Sequence, residues 1–70
     1  MKTIDVVLYR EGKHWVSQAL NVDVSSFGDS PEEALSAIRE ALELFFEDDP
    51  RVEIREVTDA RIEEIRVTAV

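Results

Sequence analysis

An α+β fold in the order β-β-β-α-β follows from three features of these 70 residues. Three stretches rich in β-branched and aromatic residues alternate with polar turns before residue 29. One amphipathic stretch with a full set of helix-start signals follows at Ser30, and a last alternating stretch runs from Ile62 to Val70. Three antiparallel strands leave the chain at one edge of a sheet. A right-handed crossover through the helix then brings a fourth strand back beside the first, parallel to it. The predicted architecture is a four-stranded mixed sheet, order 3-2-1-4, with the helix packed on one face. Residues 1–70 form a single domain, because a chain this short buries only about 60% of its unfolded surface and supports one thin core.

The first strand is expected over residues 2–10, KTIDVVLYR, with Ile4, Val6 and Leu8 on one face and Val7 and Tyr9 on the other. Apolar residues on both faces suit a central position in the sheet. Glu11, Gly12 and Lys13 form a short turn in which Gly12 can take positive φ. The return strand spans His14 to Leu20, with Val16 and Leu20 on one side and Trp15 and Ala19 on the other. Asn21 opens a second turn, and Val22 to Phe27 gives a shorter edge strand. The uncovered face of the sheet carries either Val7 and Tyr9 or Trp15 and Ala19, depending on register.

Ser30 is the helix N-cap: its hydroxyl can accept from the Glu33 amide, while the Glu33 carboxylate can reach back. Pro31 falls at the first helical position, where its missing N–H costs nothing. Centred on Ile38, the apolar stripe contains Ala34, Leu35, Ala41, Leu42, Phe45 and Phe46. Glu32, Ser36, Glu40, Glu43 and Glu47 lie opposite, and Leu44 sits on a flank outside the stripe, either as a contact for another chain or as an ordinary surface leucine. Pro50 disfavours α geometry at Asp49, so the helix stops near Asp48. Acidic residues at this negative end call for fraying or for a cation nearby. Pro50 to Ala60 is a charged connection with weak alternation at Val52, Ile54 and Val57. In the last stretch Ile65, Val67 and Ala69 share one face.

The formal charge is −8, and residues 30–49 alone carry one basic and seven acidic groups. Such a surface repels nucleic acid, whose binding requires lysine and arginine at phosphates. A basic protein is the expected charged partner, set against the plainer reading of a solvated face that keeps the chain soluble. No cysteine is present, which fits a reducing cytoplasm, and no apolar run is long enough for a signal peptide or membrane span.

No catalytic, cofactor or metal site is expected. Asp5, Asp23 and Asp29 are the acids associated with strands, but Asp23 and Asp29 occupy turn positions where aspartate commonly bonds the local backbone. His14 has no second histidine or cysteine to complete a zinc site. The serines lack a base and its orienting group. Gly28 is a lone glycine before the helix, beside an aspartate that would repel phosphate.

Gly28, Asp29, Ser30, Pro31, Glu32, Glu33, Ala34 and Leu35, followed by Glu40, Ala41, Leu42, Glu43 and Leu44, resemble the G-D-[ST]-x-E-E-A-L and E-A-L-E-L motifs of the HicB antitoxin family. The Trp15-Val16-Ser17 strand is similar too, so the resemblance covers residues 15–48, about half the chain. It implies a partial ribonuclease-H-like fold that blocks a HicA toxin, a small basic ribonuclease cleaving messenger RNA. Family members also carry a C-terminal DNA-binding domain. These 70 residues hold no basic recognition element of that kind, and no direct contact with nucleic acid is expected of them.

The expected activity is therefore that of a non-enzymatic antitoxin, with a stand-alone oligomeric binding or scaffold module as the alternative. A homodimer or larger assembly is anticipated through sheet edges or the uncovered face. Glu40, Glu43 and Glu47 are the candidates for electrostatic contact with the toxin, and Tyr9, Trp15 and Leu44 for apolar contact. Burial under the helix is the competing role for Trp15.

Overall fold

A computed structural model describes residues 2–69. Its elements are β1 (Val6–Glu11), β2 (His14–Ala19), β3 (Ser25–Gly28) and α1 (Pro31–Asp48). The strands form one antiparallel sheet in the order β1-β2-β3. β1 and β2 are joined by the two residues Gly12 and Lys13, with Gly12 at φ 61°. Among described non-glycine residues only Asp59 has positive φ, so the turn has the one-positive-φ form that matches strand twist. This tight turn fixes the register: Glu11 faces His14, Tyr9 faces Val16 and Leu8 faces Ser17.

That register assigns the faces. Val6, Leu8, Trp15, Ser17, Ala19, Ser26 and Gly28 share the side under α1, as the bond from Ser17 Oγ to the Ala34 carbonyl (2.8 Å) establishes. Val7, Tyr9, Val16, Gln18 and Phe27 lie on the uncovered side. Small residues let the helix come close over β2 and β3. A Cβ on Gly28 would meet the Ala34 nitrogen and the Glu33 Cβ at 2.7 Å, so only glycine fits. Ser17, Ala19, Ala34 and Ile38 are buried in this contact.

The helix begins where its sequence signals put it. Ser30 Oγ accepts from the Glu33 amide at 3.1 Å, and Glu33 Oε2 accepts from the Asp29 amide at 2.9 Å, one residue upstream of the usual reciprocal bond. It ends at Asp48 without a basic residue in its last turn. The cation there comes from elsewhere: Lys2 Nζ donates to the Pro50 carbonyl at 3.0 Å and stands 4.4 Å above the Phe46 ring.

Five expectations are corrected. The fourth strand does not form: residues 62–69 carry no strand and are exposed, while Val70 lies outside the described residues. The order 3-2-1-4 is therefore replaced by a three-stranded 1-2-3 sheet. Alternation makes a segment suited to a sheet but supplies no partner, and this segment makes no ladder with its own β1. β1 consequently lies at an edge and β2 at the centre. β3 starts at Ser25 rather than Val22, because Val24 N bonds back to the Val22 carbonyl (3.0 Å) in a three-residue turn. Leu35, expected in the buried stripe, is 43% exposed, since α1 lies over β2 and β3, barely touches β1, and has no fourth strand beneath its outer flank.

The connection after α1 is anchored by Asn21, which is buried. Its Oδ1 accepts from the Asp5 amide (2.7 Å), its Nδ2 donates to the Arg55 carbonyl (2.6 Å), and its own carbonyl accepts from the Arg55 amide (3.4 Å). Val52, Ile54 and Val57 are partly covered here without forming a strand.

Candidate functional site

The six residues selected for partner contact fall on three surfaces. Glu40, Glu43, Leu44 and Glu47 form one strip along α1, as their spacing of three, four and seven residues requires, and all four are exposed. Leu44, at 63% exposure, is the apolar member of this acidic strip. Asp48 and Asp49 extend the negative charge past the last turn. Among the described residues no lysine or arginine forms an ion pair with any of these carboxylates, which leaves the strip's charge facing outward.

Tyr9 lies on the opposite side of the molecule. The strand register aligns it with Val16 and Phe27 in a row across all three strands. Tyr9 is 41% exposed and Phe27 66%, and the Phe27 ring meets His14 edge-on at 5.9 Å between centroids. Glu11, His14, Val16, Ser25 and Phe27 line a shallow depression there. Sequence reading missed Phe27 as a surface residue. The two-residue turn at Gly12 was the signal that could have placed it, because it fixes Tyr9 opposite Val16, and Val16 leads on to Phe27.

Trp15 is on the third surface, the helix-covered face. It pairs with Gly28 at the start of α1 and is partly buried. The fold thus joins the four helix residues into one strip and separates Tyr9 and Trp15 from it and from each other.

The acids considered for chemistry are dispersed. Asp5 accepts from Asn21 Nδ2 at 3.4 Å, and Asp29 lies 3.4 Å from His14 Nδ1 with both side chains largely in solvent. Among the described residues no three His, Asp or Glu side chains converge as metal ligands, and no helix is long and apolar enough to cross a membrane. No protein-family model, curated protein or solved structure matches this chain.

Proposed function

We propose that this protein is an antitoxin of the HicB type, which binds a small basic, HicA-type messenger-RNA-cleaving toxin and occludes it without catalysing a reaction of its own. The observation that carries the reading is the exposed strip of Glu40, Glu43, Leu44 and Glu47. Carboxylates spaced along a rigid helix can occupy a groove built to hold phosphates, and complementary charge speeds encounter between the partners. In this reading the three-stranded sheet and α1 are the core of a partial ribonuclease-H-like domain, and the order 3-2-1-4 is reached only when a fourth strand, which residues 62–69 do not form within their own chain, is added outside β1.

The test is RNA cleavage by a purified small basic toxin encoded beside this gene. Cleavage is expected to stop when this protein is in excess. Glu40→Gln, Glu43→Gln and Glu47→Gln together should slow association about tenfold or more at low salt, with the difference shrinking as salt rises. Undiminished cleavage with the unmodified protein in excess would refute the proposal. The exposed row of Tyr9, Val16 and Phe27 favours a second reading, a stand-alone oligomeric binding or scaffold module with no toxin partner. A genome with no small basic reading frame beside this one supports that second reading.

A further inference from the structure

Two parts of this chain are incomplete in complementary ways. The outer edge of β1 has no neighbouring strand among the described residues, so half its backbone hydrogen-bonding groups lack a ladder. Between that edge and α1 lies an open cleft of about 610 Å³, its floor and walls formed by Ile4, Val6, Leu35, Ile38, Leu42 and Phe46, with Lys2, Arg39 and Glu43 among its polar lining. Residues 58–69, meanwhile, form an exposed arm. Ile62, Ile65 and Val67 are at least three-quarters exposed, and Glu63, Ile65, Val67 and Ala69 fall on one side of an extended chain.

The arm makes the molecule larger than its length requires. The radius of gyration is 14.0 Å, against about 11 Å for a compact chain of this length. The accessible surface is 6279 Å², against about 4,450 Å² for a folded monomer of this mass. The excess, about 1,800 Å² per chain, is of the size that stable dimers bury. The arm's root is held at Arg55 by Asn21, and the left-handed turn at Asp59 (φ 56°) follows it.

We propose that residues 62–69 of one copy add as a fourth strand to the outer edge of β1 in a second copy, and reciprocally, giving an arm-exchanged homodimer. Ile65 and Val67 enter the partner's cleft beneath Leu35 and Leu42, and Glu63 on the same face reaches a rim where Lys2 and Arg39 outnumber the single carboxylate of Glu43. Each sheet gains the strand its own chain does not provide. The inference does not rest on the toxin reading: the cleft shares only Glu43 with the Glu40–Glu47 strip, and the dimer is measured with no toxin present.

Sedimentation of the full chain is expected to give twice the 8.0 kDa chain mass. Ile65→Asp with Val67→Asp should weaken the dimer by about 100-fold or more, by placing carboxylates in two apolar clefts. Helix content should be unchanged, since Ile65 and Val67 are exposed in their own chain. Val6→Cys with Val67→Cys in one chain, treated with a short bis-maleimide, should yield a covalent dimer. A monomeric unmodified protein at tens of micromolar would overturn the proposal, as would an internally cross-linked monomer, which would mean the arm folds onto its own β1. A dimer indifferent to the two aspartates would also overturn it and would point to the Tyr9–Phe27 face instead.

Discussion

Over β2 and β3 the helix lies so close that a methyl group on Gly28 would collide with its backbone, and Ser17 bonds directly to a helix carbonyl. Over β1 the same helix leaves a cleft, and Leu35 and Phe46 line it without being enclosed. The apolar stripe of α1 is continuous across both regions, so the contrast arises from the sheet. Where strands with small residues lie beneath it the stripe is buried, and where a strand is lacking it is not. One amphipathic helix therefore both builds a core and presents a surface, according to what lies under each flank.

Substitutions on the two flanks should separate these roles. The largest effect is expected at Ile38, which is 2% exposed between the tight region and the cleft it borders: Ile38→Ala should cost about 3 kcal/mol in urea unfolding at fixed protein concentration. A loss under about 1 kcal/mol would mean that this region is not the core. Asn21→Ala comes next, at about 2 kcal/mol, because it leaves the part-buried Asp5 amide and Arg55 carbonyl without their shared partner. It should also release the 52–57 connection, seen as faster amide exchange there.

Ser30→Ala should cost about 1 kcal/mol through loss of the cap on the Glu33 amide, and Ser30→Asp should restore most of it. The smallest effect is expected on the open flank. Leu35→Ala should change stability by about 1 kcal/mol or less in dilute solution, and by more as concentration rises and a second copy fills the cleft. A concentration-independent loss equal to that of Ile38→Ala would erase the distinction between the flanks.

The helix was readable at both ends, its start to the residue and its end to the neighbourhood of Asp48. Ser30, Pro31 and Glu33 specify its start through bonds spanning three or four residues, and Pro50 limits its end. The first hairpin was readable in place but not in detail: the turn at Gly12 was expected to include Glu11 and the strand to begin at Lys2, whereas β1 runs from Val6 to Glu11 and Gly12 and Lys13 alone reverse the chain. The acidic strip was legible as a pattern, because helical spacing alone puts Glu40, Glu43, Leu44 and Glu47 together. Asn21 was not legible: a turn asparagine looks the same in sequence whether it faces water or, as here, ties β1 to the connection 34 residues on. Phe27 was missed because its exposure depends on a register carried across two strand pairs.

The sequence by itself determined where the helix begins and ends, where the chain reverses, and which helix positions carry charge, because each depends on interactions among residues a few positions apart. Tertiary structure alone decided which face of the sheet the helix covers, that β2 and not β1 is central, and that residues 62–69 stand away from their own sheet. Strand pairing joins distant segments through backbone groups that every residue carries alike. An alternating pattern can therefore mark a segment as fit to pair without saying beside which strand it will lie.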